Sequence, residues 1–427
     1  MRDQVLTPTI IERAMDKRLS EWLGILCDLI SIPSENPPGD TTDIASYLTD
    51  LLENRDVPYE VIAPRKETPN VVAHFEGRQG DPNAGRHLVF NGHLDTFPSR
   101  EVDRWSRDPF SGEVDEGKIH GRGASDMYGG LTASLAAFLY LFENRTQFQG
   151  KVTLAAVSDE ETGGTWGTSH IVENYPEYRG DALISGEPSS NGIIRFGERG
   201  RVWTEIEVRG ESAHACSVPR GVSAVEQLMH LLSDIKTLSV EEELRNIPEK
   251  ERKVILASQE QMDAAYGEGA TDRILVPRVN IGVFDGGEKV NLVAENARAE
   301  VDVRLPIGST TKQVLELMNS YAEPYPVDTE INGFSRKDPT FSNYEHPLFQ
   351  HLQTFAGQVR DEDPAFSCAL AGTDCAFYRE MGVPCAVYGP TPFNLGSQNE
   401  YILLSDFKEV VKTQAMAAAA YLTRLNN

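Results

Sequence analysis

Apolar residues recur at helical spacing near the start of the chain, at Ile10, Ile11, Met15, Leu19, Trp22, Leu23, Leu26 and Ile30. This periodicity predicts one amphipathic helix over residues 8–31. The segment SIPSENPPGD, with its prolines and glycine, ends it. A second helix is predicted over residues 43–54. Short apolar runs at 70–75, 87–91, 151–158 and 181–185 read as buried strands, with helical patterns among them at 129–144 and 167–173. Strands alternating with helices imply a mixed or parallel sheet covered on both faces, with function gathered where strands end and loops begin.

The pattern changes near residue 195. Residues 194–208 alternate apolar and polar positions, as a half-exposed antiparallel strand does. Residues 222–238 form a strong helical pattern, and 278–284 and 297–304 read as strands. From residue 311 helix and strand alternate again, ending in a helix over 405–425. The expected organisation is an α/β domain in two chain segments, 1–194 and 311–427, interrupted by a smaller α+β domain over 195–310.

A length of 427 residues suits two or three domains, or one large domain carrying an insertion. With 40% hydrophobic and 25% charged residues a packed core is available, and disorder is excluded for the chain as a whole. The formal net charge is −25, which makes the chain a poor candidate for holding nucleic-acid phosphates or an anionic membrane surface and favours cations, so neither partner is expected. Five cysteines (27, 216, 368, 375 and 385) with no close pair argue against a disulfide framework and fit a reducing compartment. Residues 129–142 are too few to cross a bilayer, which takes about 20 apolar residues. The apolar stretch 22–32 is interrupted by Asp28, unlike a signal-peptide core. A soluble, cytoplasmic protein is the expectation.

The candidate chemistry sits at strand ends. The run at 87–91 leads into Gly-His-Leu-Asp, placing His93 two residues before Asp95, a spacing at which a carboxylate holds the ring and frees one nitrogen for a metal. Taken alone, the pair fits a capped loop histidine better. Asp126, between glycines and before an apolar helix, reads alone as a helix N-cap. Asp159, Glu160 and Glu161 crowd three carboxylates at the end of an uncharged strand, a costly arrangement unless a cation or a shared proton relieves it. The alternative there is a surface turn. Glu187 ends a further apolar strand. Four such ends together supply imidazole and carboxylate ligands suited to Zn, Mn or Co, with a spare carboxylate to deprotonate water.

The order GHLDT, GRGASDMYGG, DEETGG, GEPS, SAHACSVPRG, AGTD, NEY resembles the metallo-aminohydrolase family of aminoacylase, carboxypeptidase G, acetylornithine deacetylase and succinyl-diaminopimelate desuccinylase. The likeness runs in order over nearly the whole chain. It implies a zinc-peptidase-like α/β catalytic domain with a mixed sheet and an inserted α+β dimerisation (lid) domain, hence a homo-oligomer of at least two chains acting on a small molecule. By motif position it implies that His93, Asp126 and Glu187 hold one divalent metal, with Asp126 bridging to a second held by Glu161. Glu160 matches the general base and Asp95 the residue supporting His93. His214 matches a lid histidine that reaches across the dimer to the developing oxyanion. Arg304, Asn291 and Asn394 are weaker candidates for contacting substrate or, for Asn394, the second metal; for Arg304, pairing with Glu300 or Asp302 is the competing expectation.

Three departures stand out. Gly396 falls where the family's last metal-ligating histidine belongs, four residues before Glu400. Tyr128 stands where a lysine is usual, and Cys375-Ala376 where an arginine is often found. The second metal position keeps Asp126 and Glu161 unless Asn394, Gln398 or water substitutes, so one metal per chain, Mn or Zn with Co as a further candidate, is expected. Within the family, the altered last motif is similar to that of enzymes hydrolysing the aryl C–N bond of 5-nitroanthranilic acid to 5-nitrosalicylate and ammonia, and that reaction is the specific expectation. The alternatives are an N-acyl amino acid deacylase or metallocarboxypeptidase-type amidase, and an inactive metal-binding homologue.

Overall fold

In the computed structural model, which describes residues 6–78 and 85–423, the chain divides into two units. The first comprises Met1–Phe196, Ser342–Ser367 and Thr373–Asn427, the second Gly197–Phe341 with Cys368–Gly372. The first chain segment carries α1 (Pro8–Lys17), α2 (Leu19–Ile30), α3 (Thr42–Glu53), β1 (Tyr59–Ile62), β2 (Asn70–Glu76), β3 (Arg86–His93), β4 (Val114–Asp115) and β5 (Lys118–His120). It continues through α4 (Gly129–Glu143), β6 (Gly150–Val157), α5 (Thr168–Asn174), β7 (Ala182–Ser185) and β8 (Ile193–Glu198). The insertion carries β9 (Gly200–Arg209), α6 (Ala224–Ile235), α7 (Glu249–Ala257), α8 (Gln259–Tyr266), α9 (Ala270–Leu275), β10 (Arg278–Gly286), β11 (Asn296–Leu305), α10 (Thr311–Ala322) and β12 (Asp328–Lys337). After β13 (Thr340–Phe341) come α11 (Pro347–Arg360), β14 (Ala365–Ala369), α12 (Cys375–Glu380), β15 (Cys385–Val387), β16 (Tyr401–Leu403) and α13 (Leu404–Thr423).

The main sheet of the first unit follows the path β1-β2-β6-β3-β7-β15-β8. Its centre is parallel: β3 pairs with both β6 and β7, and β7 with β15. The flanking β1–β2, β2–β6 and β15–β8 pairs are antiparallel. Central strands buried on both faces read as apolar runs, which is why β3 and β6 were legible without alternation. In the β3–β6 register His93 lies opposite Val157, and in the β3–β7 register Asn91 lies opposite Ser185. The three strands therefore end along one edge, and the polar loops that follow them share it. Helix α4 is buried from Gly129 through Phe142, as a helix without a polar face must be. Phe138, fully buried, meets Phe75 edge-on at 5.1 Å between ring centroids. Phe138→Ala is expected to cost about 3–5 kcal/mol, the usual range for emptying a buried phenylalanine site, read as a lower denaturation midpoint at unchanged slope.

Several sequence expectations are refined. The helix over 8–31 is two helices, because Arg18 leaves helical geometry (φ −101°, ψ 9°). It pairs there with Glu21 and Glu143 and lies over the Trp22 ring. The strand over 194–208 is β8 and β9, and the end of the expected final helix beyond residue 423 falls outside the described residues.

The insertion extends past residue 310, to Phe341. Strand β12 pairs antiparallel with β9, making the sheet β10-β11-β9-β12, and Val314 and Met318 of α10 join the core of that sheet with Leu228, Leu231 and Ile235 of α6. Residues 311–337, assigned from sequence to the second catalytic segment, thus complete the inserted sheet. Alternation alone could not reveal which sheet a strand joins. Along β9 Val202, Thr204, Ile206 and Val208 point to this core, and Arg201, Trp203, Glu205 and Glu207 lie on the other face. Among the described residues no helix is long and apolar enough to cross a membrane, and none of the five cysteines forms a disulfide.

Candidate metal centre

His93 is the last residue of β3 and is buried. Its Nδ1 lies 2.8 Å from the main-chain carbonyl oxygen of Asp95 and 3.7 Å from the Asp95 carboxylate. A carbonyl only accepts, so Nδ1 carries the proton. The sequence expectation is corrected in one respect: Asp95 orients the ring through its backbone. Its carboxylate instead accepts from Asn36 Nδ2 (2.8 Å) and from the amides of Glu160 (3.2 Å) and Glu161 (3.1 Å). Asp95 thus fastens the end of β3 to the turn after β6.

With Nδ1 committed, His93 Nε2 faces carboxylates. Asp126 Oδ1 is 3.0 Å away and Glu187 Oε1 is 3.6 Å away. Ligand atoms of His93, Asp126 and Glu161 all lie within 4.8 Å of one another. The expected donors therefore converge. Asp126 precedes α4 in an irregular segment (φ −123°, ψ 95°), and the Asp126–Met127 peptide is cis. Glu187 follows β7 in a loop pressed against the start of α4, where a Cβ on Gly130 would lie 1.7 Å from the Gly186 carbonyl oxygen. Only glycine permits that approach.

The three acids after β6 separate by role. Asp159 adopts a left-handed conformation (φ 75°), and its carboxylate accepts from Thr162 Oγ1 and from the Trp166 amide, so it builds the turn. Glu160 and Glu161 face the cluster. Burial, reinforced by the neighbouring acids, pushes Glu160 up to about 8 and Glu161 up to about 11, and Glu187 well above the usual carboxylate range. Asp374, whose Oδ2 accepts from Thr168 Oγ1 at 2.7 Å, is among the charges that raise Glu160. Burial alone would depress His93, but the bond to Asp126 and the charges of Glu187, Asp126 and Glu160 hold it well above its ordinary value. Glu161 Oε1 is buried and has no hydrogen-bond partner among the described residues. An imidazole nitrogen facing crowded carboxylates, one with an orphaned oxygen, is a donor set suited to a divalent cation, which would take the place of the proton between them.

The C-terminal departures also take their places. Gly396 is exposed, with φ 68°, and a Cβ there would meet only the Phe97 ring, at 3.6 Å. Asn394 gives its amide to the Asn399 carbonyl (2.9 Å), and Gln398 gives its own to Glu101 (3.4 Å), so the amide nitrogens of both are held by loop partners. Tyr128 donates to the Leu94 carbonyl at 2.7 Å and contacts Ser34, steadying the loop after His93. Glu400 is buried and paired with Arg122. Arg122 and Asn36 carried no signal in the sequence, since each acts through residues distant in the chain. Cys375 packs with Val387 and Tyr378, and Cys385 joins the same cluster.

On the insertion, His214 and Asn291 are brought together. His214 bridges to Leu292, and the Ala215 amide donates to the Asn291 carbonyl at 3.0 Å. His214 Nδ1 accepts from the Cys216 amide (3.2 Å), so Nε2 bears the proton of the neutral ring. Asn291 Oδ1 is buried without a hydrogen-bond partner among the described residues. Arg304 Nε donates to Asp302 at 3.0 Å, the pairing expected as the alternative to a grip on substrate.

A sequence profile described as peptidase family M20/M25/M40 matches residues 89–420. A probable succinyl-diaminopimelate desuccinylase of Staphylococcus epidermidis is 27% identical over 413 residues, covering 94% of this chain and 98% of that one. The solved M20 family metallo-carboxypeptidase of Sulfolobus solfataricus superposes with a TM-score of 0.74 at 20% identity, covering 94% of this chain and 99% of that one. A dinuclear metal binding M20 peptidase of Bacillus subtilis superposes with a TM-score of 0.68 at 15% identity, covering 96% and 98%. At these identities the two structures show a shared fold.

Proposed function

Because the chain belongs to peptidase family M20/M25/M40, we propose that it is a metal-dependent hydrolase cleaving the amide C–N bond of a small carboxylate-bearing substrate, such as an N-acyl amino acid or a short peptide. The observation that carries this reading is the convergence of His93, Asp126, Glu161 and Glu187 with Glu160 beside them. A purely binding site has no need of the fifth group.

His93, Asp126 and Glu187, with Glu161 beside them, would hold a divalent ion, which would supply Lewis-acid polarisation of water and of the scissile carbonyl. The remaining work belongs to side chains of this protein. Glu160 takes the proton of the attacking water as the new C–O bond forms, and returns it to the departing nitrogen as the C–N bond breaks. The Asp95 carboxylate holds the Glu160 amide, so the base keeps its aim. His214 offers Nε2–H to the developing oxyanion, reaching it within an assembly of at least two chains, and Asn291 adds an amide for the substrate.

A second reading rests on Gly396. Loss of an imidazole at that position suits a cluster holding one ion and a flat substrate, as in hydrolytic deamination of 5-nitroanthranilate. The names of the relatives favour the amide reading. One assay separates the two: protein supplied with Mn or Zn is given N-succinyl and N-acetyl amino acids, dipeptides and 5-nitroanthranilate. The amide reading expects free amino acid with no ammonia. Ammonia and 5-nitrosalicylate from the nitroaromatic would replace it with the second reading, and no turnover of any of them would remove both.

A further inference from the structure

Glu400 is completely buried and Arg122 nearly so, at 0% and 2% exposure, 278 residues apart in sequence. Their side chains meet at 2.5 Å between Nη1 and Oε2. The other carboxylate oxygen of Glu400 accepts from the Ser125 amide (2.9 Å), the Ser125 hydroxyl (3.0 Å) and the Asp126 amide (3.2 Å). Strand pairing delivers it there, since Glu400 immediately precedes β16, in which Tyr401 pairs with His120 of β5, and the Glu400 carbonyl accepts from the Gly121 amide at 3.0 Å. Arg122 is held in turn by the Trp105 ring, 5.2 Å away.

Asp126 lies between the left-handed Gly123 and the start of α4, with non-helical backbone angles. Its amide and that of Ser125 are taken by Glu400. A charged, desolvated acceptor binding two consecutive amides fixes a peptide orientation more firmly than a neutral one. Here that peptide carries the carboxylate central to the cluster. Resting on the metal-hydrolase reading above, we propose that Glu400, braced by Arg122, is a positioning residue that sets the approach of the Asp126 carboxylate to the ion. This accounts for a C-terminal motif that retains its glutamate while carrying glycine at position 396: the glutamate acts on the backbone of Asp126, and its role is separable from that of a ligand at 396.

The test uses chelator-stripped full-length protein titrated with cobalt(II) chloride, reading dissociation constant by calorimetry and the visible ligand-field spectrum. Glu400→Ala is expected to weaken Co2+ binding at least tenfold and to shift the visible bands. Glu400→Gln, which keeps an oxygen for the Ser125 and Asp126 amides, should recover part of both. Leu352→Ala, in the buried face of α11, serves as the control for stability, lowering the melting temperature with affinity and spectrum unchanged. Where Glu400→Ala does not fold, Arg122→Gln carries the same two readouts. Native affinity and spectrum in a folded Glu400→Ala, or in Arg122→Gln in its place, would overturn the proposal. Co2+ binding that Asp126→Ala leaves intact would overturn the metal reading itself, a separate result.

Discussion

Glu160→Gln is expected to lower kcat by about 10²–10⁴-fold, the range for losing a positioned general acid–base group, while ion affinity stays near that of the unaltered protein. Glutamine matches the shape of glutamate and leaves the amide of residue 160 on Asp95, so the turn after β6 is preserved. What it removes is a carboxylate oxygen able to take the proton of water and hand it to the departing nitrogen. The neighbouring acids cannot substitute. Asp159 is bound up in its turn with Thr162 and Trp166, and Glu161, Asp126 and Glu187 are gathered around His93 as the expected ligands. Steady-state turnover on the substrate found by the assay above, with calorimetric metal titration of the same preparation, checks both halves. Undiminished turnover would take the base role from Glu160, and loss of metal affinity would make it a ligand.

Asp126→Ala is expected to abolish turnover and to weaken ion binding by more than ~100-fold, beyond the 10–100-fold typical of residues that merely support a ligand. Asp126 sits 3.0 Å from His93 Nε2 and within reach of Glu161, so it belongs to every ion position the cluster offers. Removing it leaves Glu161 and Glu187 as crowded buried acids that relieve themselves by taking up protons. The unaltered protein should lose activity to a chelator, regain it with Mn or Zn, and hold one ion tightly per chain, because Gly396 brings no imidazole beside Asp126 and Glu161, and the amide nitrogens of Asn394 and Gln398 are given to Asn399 and Glu101. Metal analysis finding two tightly held ions at full activity would refute the single-ion expectation.

Much of the cluster was legible because each ligand follows a buried strand or precedes a buried helix. Uncharged runs such as 152–157 and 182–185 make a terminal acid conspicuous. The same signal overstated Asp159, whose identity as a turn residue depends on a left-handed backbone angle. It also gave Asp95 the wrong contact, since a carboxylate two residues from a histidine is equally able to offer its carbonyl. Asn36 lay inside a segment recognisable only as a helix breaker, yet its side chain joins Asp95 to Thr162. Helices α7, α8 and α9 went unread, because α7 and α8 bury few residues, such as Ile255 and Met262, and α9 spans only six residues.

Periodicity, strand-end chemistry and motif order determined the fold class, the presence of an insertion, the ligand residue types and the family expectation. These are local properties: a buried strand must be apolar whatever it pairs with, and an acid at its end must be compensated whatever does so. Tertiary structure decided that β12 belongs to the inserted sheet, that Arg304 answers to Asp302, that the backbone of Asp95 holds His93, and that Glu400 reaches back to Asp126. The first and last join residues far apart in sequence, and the other two select one partner atom among several near ones; register and burial make both kinds of choice, and a linear pattern carries no term for distance in space.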